Sequence, residues 1–263
     1  MINGKKIGLV LSGGAAKGFA HIGVIKVLEE NGIIPDIIVG TSMGSVIGGL
    51  YAGGMKLSDI EDRCLKLKAI DLFDLNVFNI TKQGIIAGRK FEKLIEKNVK
   101  YQMIEDFPIK YACVACDIVT GEEYVFDSGK YSVATRTSCS MPGIFAPVKK
   151  DGKILVDGGV MNNIPTNVAY KMGADYVISV DCIGENYLIK NIKSVVDILM
   201  SSFGVTQYLL NKYRGYKTDA KIIINNENSY LVAKKEITRE NIALGEIVAK
   251  KYIKAIKKDL NMA

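Results

Sequence analysis

The first 54 residues constrain the fold most, because they alternate twice between a strand pattern and a helix pattern. The apolar run Lys6–Leu11 ends in Ser-Gly-Gly, which predicts a buried strand that leads into a tight turn. Helical spacing follows over Lys17–Asn31, and Ile37–Val39 predicts a second strand. A turn at Gly40–Gly44 and a helix through Tyr51 complete the pattern. A strand–helix–strand unit of this length predicts two neighbouring parallel strands.

The rest of the chain mixes strand and helix patterns and contains no internal repeat or linker. Further strands are predicted over Lys110–Ile118, Glu122–Phe126, Ile154–Val156, Tyr176–Val180 and Lys221–Ile224. Helices are predicted over Leu57–Leu67, Arg89–Val99, Val133–Ser140, Ile192–Tyr213 and Thr238–Leu260. We therefore predict an α/β fold with a mixed, mostly parallel central sheet and helices on both faces.

Length and composition favour one α/β domain over residues 1–263, since 48% of the residues are hydrophobic and can form a sizeable core. No apolar run reaches the roughly 20 residues that cross a bilayer, and the start of the chain lacks a signal-peptide pattern. Five cysteines, an odd number, favour reduced thiols and a cytoplasmic location over a disulfide framework.

The formal net charge of +7 suits an anionic partner, either phospholipid or nucleic acid. Because the basic residues are dispersed and not interleaved with aromatic residues, we expect no nucleic-acid partner. Peripheral contact with an anionic membrane stays open, and so does an ordinary solvated surface.

The segment Gly40-Thr41-Ser42-Met43-Gly44 matches the G-x-S-x-G pattern of a nucleophilic serine. Such a serine projects from a sharp strand-to-helix turn, where side chains two positions before and after it would clash. The predicted strand and helix supply this context, and the helix N-terminus adds a positive dipole. The alternative is a glycine-rich turn in which Ser42 only caps the helix.

A second glycine-rich turn, Ser12–Gly18, opens the first predicted helix and presents backbone N–H groups to an anion. A P-loop is excluded, because Phe19 follows where Ser or Thr is needed. A dinucleotide site fits loosely, but the acid expected at the end of the next strand is missing, and Asp36 lies at the strand's other end. The third alternative is an oxyanion hole, which requires a nucleophile such as Ser42 nearby.

A serine nucleophile needs a base, and two residues are candidates. The chain has a single histidine, His21, in the first predicted helix, where packing or a backbone hydrogen bond explains it equally well. Asp157 follows a short strand and precedes two glycines, so its carboxylate is predicted at the same edge of the sheet. An ordinary Asp-Gly turn is the alternative for Asp157.

Three motifs together resemble the patatin-like phospholipase family in order and approximate spacing. They are Leu11–Gly18 with Ala20–Val24, then Gly40–Gly44, then Asp157–Gly159. Ser138–Pro142, followed by Phe145–Val148, is similar to the family's segment ahead of its aspartate. The resemblance extends over residues 5–182 and implies a three-layer α/β/α sandwich with a Ser–Asp dyad and no histidine base.

By this resemblance Ser42 is the nucleophile and Asp157 is the base. The oxyanion hole would consist of backbone N–H groups of Gly13, Gly14 and Ala15. Further motif positions are Lys17, Gly18, Gly40, Gly44, Gly158 and Gly159. The resemblance implies no metal and no cofactor.

The chain departs from the family pattern at two of these positions. Ala15 stands where the family usually has glycine, and a positive φ there would cost on the order of 1–2 kcal/mol. Lys17 stands where the family usually has arginine, so the charge is kept but the planar fork for a bidentate anion contact is lost. Neither departure removes the dyad.

The expected function is therefore a serine lipid acyl hydrolase of the phospholipase A, lysophospholipase or esterase type. The main alternative is a non-catalytic lipid- or acyl-binding protein that retains the fold. A nucleotide-binding oxidoreductase is disfavoured, because the ribose-binding acid is missing. The pair Cys113 and Cys116 lacks a second ligand pair for zinc and is interpreted as two buried residues on opposite faces of a strand.

Three segments leave the surroundings of the site open. The apolar but irregular stretch 70–88 is predicted to cover the site or line an acyl channel, and the alternative is an ordinary surface excursion packed on the core. Ile192–Tyr213 is apolar on more than one face, as in an acyl-pocket wall, a dimer contact or a deeply buried helix. The lysines of residues 250–258 could contact an anionic membrane, although a helix packed on the core with its lysines in water is favoured.

Overall fold

The computed structural model describes residues 1–68, 71, 86–185, 192–226 and 234–263. Within these residues eight strands form one sheet. The strands are β1 (Ile7–Leu11), β2 (Ile37–Thr41), β3 (Lys110–Asp117), β4 (Glu123–Phe126), β5 (Val148–Lys150), β6 (Lys153–Asp157), β7 (Tyr176–Asp181) and β8 (Ala220–Ile223).

The α-helices of the described segments connect these strands or follow them. They are α1 (Ala20–Glu30), α2 (Met43–Ala52), α3 (Leu57–Lys66), α4 (Arg89–Asn98), α5 (Tyr131–Ser138), α6 (Thr166–Lys171), α7 (Val195–Tyr213) and α8 (Lys235–Asp259). Short 3₁₀ turns span Ala15–Phe19, Ile104–Asp106 and Gly158–Val160. None of these helices combines the length and apolar character that crossing a membrane requires.

The sheet is mixed, with the pairing order β5–β6–β3–β2–β1–β7–β8, and β4 pairs with β3 outside this path. The pairs from β3 through β2, β1 and β7 to β8 are parallel. By contrast, β4 and β6 run antiparallel to β3, and β5 runs antiparallel to β6. The strand–helix–strand unit at the start of the chain therefore builds the parallel centre of the sheet, as predicted.

Side chains of β1 alternate between two apolar layers, as the period of two along a strand requires. Leu9 and Leu11 belong to the larger core, which they share with residues of α1, α2 and α8. Val10 points to the other face and packs with Val168 of α6. Helices therefore cover both faces, and the predicted α/β/α sandwich is confirmed.

The structure differs from the sequence prediction where the sequence patterns are short. The helix predicted from Lys17 starts as the 3₁₀ turn Ala15–Phe19 and becomes α-helical at Ala20. Neither β5 nor α6 was predicted, because three and six residues are too few for a clear period. The alternative that α7 is a deeply buried helix is wrong, since only Gln207 and Asn211 of this helix are buried.

Helix α8 packs closely along α1, so the favoured prediction of a packed C-terminal helix is confirmed. Its buried residues include Ile242, Ala249, Ile253 and Ile256. The two backbones approach closely at Gly245, where a β-carbon would overlap the carbonyl oxygen of Ala20, and equally at Gly23, where it would overlap that of Ile242. Asn241 Nδ2 donates to the carbonyl oxygen of Ala16 at 2.7 Å and so connects α8 to the glycine-rich turn.

We expect Gly245→Ala to lower the free energy of unfolding by about 1–3 kcal/mol, because backbone atoms of α1 occupy the space of the new methyl group. Helix propensity alone would act in the opposite direction by up to about 1 kcal/mol. Urea unfolding of the purified variant measures the difference. The matched control is Ala243→Gly at an exposed position of the same helix, which reports propensity without the contact. A Gly245→Ala protein as stable as wild type would refute the close contact.

Candidate functional site

The register of β3 brings Ser42 and Asp157 together. Thr41 at the end of β2 pairs with Val114, and Asp157 at the end of β6 pairs with Ala115. Because β4 occupies the opposite edge at residues 113–116, β2 and β6 share one edge of β3. The two strands approach from opposite directions, so their C-terminal ends meet where Ser42 follows β2.

Ser42 has backbone angles of φ 51° and ψ −121°, which L-residues rarely adopt and which cost on the order of 1–3 kcal/mol. Close packing enforces the turn: a β-carbon at Gly40 would lie 2.5 Å from the backbone of Gly44. A β-carbon at Gly44 would itself overlap the carbonyl oxygen of Leu11. These contacts explain why glycine flanks Ser42 on both sides, as the motif predicts.

A serine that the sequence did not single out as functional holds this turn from the next layer. The N–H group of Ser42 donates to Ser138 Oγ at 2.9 Å, and the Ser138 hydroxyl donates to the carbonyl oxygen of Val114 at 2.7 Å. The Ser45 hydroxyl donates to the carbonyl oxygen of Ser42 at 2.6 Å. Both backbone groups of Ser42 are thereby engaged, and its side chain is left half-exposed.

The Ser42 side chain does not cap α2, although the residue occupies the N-cap position. Its hydroxyl instead lies near the Asp157 carboxylate, close enough to lower the pKa of that carboxyl. The alternative of a capping serine is therefore wrong. A hydroxyl paired with a carboxylate, half-exposed at a strand-to-helix turn, is the arrangement that an activated nucleophile needs.

Asp157 is almost fully buried, with 1% of its surface exposed. Burial raises the pKa of Asp157 to about 7, because the charged form loses water. Hydrogen bonds from the Gly159 N–H group, at 2.8 Å, and from Ser42 lower the pKa in part. The Asp-Gly turn predicted as an alternative is also present. The N–H group that it presents, that of Gly159, donates to the Asp157 carboxylate.

The glycine-rich turn lies beside Ser42, since a β-carbon at Gly13 would be 3.2 Å from Ser42 Cβ. The N–H group of Gly13 donates to Asn163 Oδ1 at 3.1 Å and is buried. Gly14 and Ala15 are partly exposed, and within the described residues their N–H groups have no acceptor. Ala15 has φ 48°, so the strained conformation expected of a residue in place of glycine is present.

The buried His21 is hydrogen-bonded to the first residue of the glycine-rich turn. Its Nε2 lies 2.8 Å from the carbonyl oxygen of Ser12, and both ring nitrogens lie 3.6 Å from Cys182 Sγ. Burial lowers the pKa of His21 to about 4, so the ring is neutral at physiological pH. A carbonyl oxygen only accepts, so Nε2 carries the hydrogen and is engaged away from Ser42.

Lys17 is buried, with 2% of its surface exposed, and does not extend into solvent toward an anion. Burial lowers the pKa of Lys17 to about 8, while electrostatic interactions with the acidic groups of Cys182 and Asp181 oppose this shift. The amino group of Lys17 therefore lies in the protein interior near the glycine-rich turn.

Asn163 and Gln207 complete the surroundings of the turn, and neither was predicted. Gln207 Nε2 of α7 donates to Asn163 Oδ1 at 2.9 Å, so one amide oxygen accepts from both α7 and Gly13. A β-carbon at Gly159 would overlap Gln207 Nε2 and lie 3.1 Å from Phe203 Cζ. Helix α7 thus closes over the site from the side of Asp157.

An apolar cluster lies beside this part of α7. Its buried members are Ile86, Met141 and Ile144, and half-buried side chains of α7 pack on them, including Leu199, Met200 and Phe203. Of the stretch 70–88, residues 70 and 72–85 lie outside the described residues. Ile86 pairs with the 144–146 segment, as its N–H group donates to the carbonyl oxygen of Ile144 at 2.9 Å.

Cys113 and Cys116 are both buried on β3 and both are free thiols. Cys113 packs in the larger core, and its position three residues before Cys116 places the two on opposite faces, as predicted. In the described part of the chain no group of three His, Cys, Asp or Glu side chains could hold a metal ion.

Comparison with known proteins identifies relatives that match 69% of this chain. The profile of a family described as "Patatin-like phospholipase" matches residues 9–170. Lysophospholipase NTE1 of Scheffersomyces stipitis is 36% identical over 184 residues, which are 69% of this chain and 12% of the relative. The patatin-like phospholipase domain-containing protein ZK370.4 of Caenorhabditis elegans is 38% identical over 192 residues, or 69% of this chain and 14% of the relative.

A shorter relative is the uncharacterized NTE family protein Mb1092c of Mycobacterium bovis, 35% identical over 179 residues that cover 68% of this chain and 49% of that protein. The matched region thus spans from an eighth to a half of these relatives. VipD from Legionella pneumophila has a similar fold, with a TM-score of 0.57, 15% identity and coverage of 95% of this chain and 67% of VipD. The type III effector protein ExoU gives a TM-score of 0.53 at 13% identity, with coverage of 97% and 54%.

The pKa of Asp157 is directly testable by carbon-13 NMR of labelled aspartate side chains. We expect a titration midpoint near pH 7, and a higher midpoint in Ser42→Ala, because the variant loses a hydrogen bond that stabilises the carboxylate. The Asp157→Asn protein identifies the resonance. A midpoint near the ordinary 3.8, unchanged in Ser42→Ala, would contradict the buried, hydrogen-bonded pair.

Proposed function

The chain belongs to the patatin-like phospholipase family, and we propose that it is a serine acyl hydrolase that cleaves lipid esters. In this proposal Ser42 is the nucleophile and Asp157 is its base. The observation that carries it is the strand register that brings the half-exposed Ser42 and the buried Asp157 together where β2 and β6 end. Relatives with the name lysophospholipase support a lipid ester as the substrate class.

In the first step Ser42 Oγ bonds to the carbonyl carbon of the ester, and its proton passes to Asp157. The carbonyl oxygen becomes an oxyanion. When the tetrahedral intermediate collapses, the bond to the alcohol breaks, and the alcohol leaves with the proton from Asp157. The products of this step are the free alcohol and an acyl group on Ser42.

In the second step Asp157 accepts a proton from water as the water oxygen attacks the acyl carbon. The bond to Ser42 Oγ then breaks, and Ser42 regains the proton as the fatty acid leaves. A base with a pKa of about 7 suits both steps near neutral pH, since it is half-ionised there and still binds the proton.

We infer that the oxyanion binds to the N–H groups of Gly14 and Ala15, which are partly exposed beside Ser42. One such donor is worth about 2.7–4 kcal/mol of transition-state stabilisation. The Gly13 N–H group, the third predicted donor, already donates to Asn163 Oδ1. In this proposal it stabilises the conformation of the turn. The Ser42 hydroxyl beside Asp157, and two N–H groups without an acceptor among the described residues, favour this proposal over a protein that only binds lipid.

Peripheral contact with an anionic membrane is part of the proposal, because the substrate is a lipid and the net charge is +7. The lysines of residues 250–258 are poorly placed for that contact. At the end of α8, Asp259 accepts from Tyr176 and its carbonyl oxygen accepts from Lys5, and both partners lie where strands begin. Ser42 lies at the opposite edge, where β2 ends.

We expect Ser42→Ala and Asp157→Asn each to lower kcat on a short-chain aryl ester by at least about a thousandfold, because the two side chains act as one unit. His21→Ala should cause a much smaller loss, since its ring binds the Ser12 carbonyl and not Ser42. Steady-state kinetics of the purified proteins gives the ranking, with the exposed Ser202→Ala as a control for substitution of a serine. Near wild-type turnover in Ser42→Ala, or a larger loss in His21→Ala than in Asp157→Asn, would overturn the proposed dyad.

A further inference from the structure

The outward face of α7 carries four large, exposed apolar side chains, with the exposed Ser202 and Thr206 between them. Val195, Ile198, Leu209 and Tyr213 have 69%, 53%, 43% and 74% of their surfaces exposed. On a helix with 3.6 residues per turn these four positions lie within about 100° of one another, along about 27 Å of the helix axis. We refer to these four residues as the α7 outer face.

The opposite side of the same helix is fixed to the site. A β-carbon at Gly159 would overlap Gln207 and nearly touch Phe203, and Gln207 donates to Asn163, which accepts from Gly13. The α7 outer face is therefore held at the edge of the sheet that carries Ser42, and a surface bound there would lie beside the reactive hydroxyl.

Basic residues flank the α7 outer face at both ends. Between residues 193 and 217, Lys193, Lys212, Arg214 and Lys217 outnumber the single acidic residue Asp197. Asp197 accepts from the backbone N–H and hydroxyl of the helix start, which stabilises the first turn. Lys212 Nζ lies 5.5 Å from the ring centre of the exposed Tyr213.

Exposed apolar side chains on one helix face, with basic residues at both ends, are typical of a helix that lies in a membrane interface. The apolar side chains enter the boundary between headgroups and acyl chains, while basic groups remain at the level of the phosphates. Because this helix lies beside Ser42, a lipid surface bound to it would bring the proposed substrate to the reactive hydroxyl.

We propose that the α7 outer face docks on the surface of an anionic phospholipid bilayer and so presents Ser42 to its substrate. This inference rests on the proposed function, because it takes lipid as the substrate. It goes beyond that function in naming the surface and the orientation. Apolar insertion also predicts that high salt weakens the binding without abolishing it.

The test is sedimentation with vesicles of equimolar phosphatidylcholine and phosphatidylglycerol. We expect the Ile198→Asp/Leu209→Asp double variant to bind at least about tenfold more weakly than wild type, because two apolar contacts are replaced by charges that the anionic lipids repel. The matched control is Ile247→Asp, which adds a charge at an equally exposed isoleucine, 57% exposed, on α8. We expect the loss of vesicle binding in this control to be less than a third of the loss in the double variant.

Turnover of a soluble short-chain ester separates docking from chemistry. The double variant should keep wild-type turnover on the soluble ester and lose turnover on vesicle lipids. Absence of soluble-ester turnover in wild type would remove the proposed function, and vesicle binding would still test the surface by itself.

Three results would overturn the docking surface. The double variant could bind vesicles as tightly as wild type, or Ile247→Asp could reduce binding equally. Alternatively, light scattering could show a wild-type dimer that the double variant dissociates, with no vesicle binding by wild type, which would make the α7 outer face a contact between two copies of the chain.

Discussion

Strand β3 offers one continuous edge to two strands that arrive from opposite directions, and the geometry around Ser42 depends on this shared edge. The partner positions Val114 and Ala115 are consecutive, so β2 and β6 end against each other. Because side chains alternate along a strand, a shift of β6 by one residue would turn Asp157 to the other face of the sheet. The backbone hydrogen bond from Asp157 N–H to the carbonyl oxygen of Ser140 adds a second constraint on this register.

Burial gives a carboxylate the properties of a base near neutral pH. An exposed aspartate with its ordinary pKa of 3.8 would hold a proton from serine poorly, whereas burial raises the pKa of Asp157 to about 7. The hydrogen bond from the Gly159 N–H group, together with the nearby Ser42 hydroxyl, keeps the charged form accessible. In the proposed mechanism the single histidine has no catalytic role, and its Nε2 is hydrogen-bonded to the carbonyl oxygen of Ser12 at the start of the glycine-rich turn.

Much of the fold and part of the site follow from local sequence patterns. The strand–turn–helix context of Ser42 lies within a few residues of it, so the motif predicts the turn. Interactions across long separations leave no such signal: Ser138 lies 96 residues from Ser42, and Asn163 lies 150 residues from Gly13. For the same reason, residue patterns alone left Asp157 and His21 as alternatives, and the family resemblance was needed to choose between them.

Reaction with a fluorophosphonate ester, followed by intact mass measurement and peptide mapping, tests the central claim most directly. Such a reagent reports an activated serine without any assumption about the lipid substrate. The account predicts one adduct per chain, located on Ser42, and loss of the reaction in Asp157→Asn. An adduct on another residue, or unchanged labelling of Ser42 in Asp157→Asn, would contradict the claim that Asp157 activates this hydroxyl.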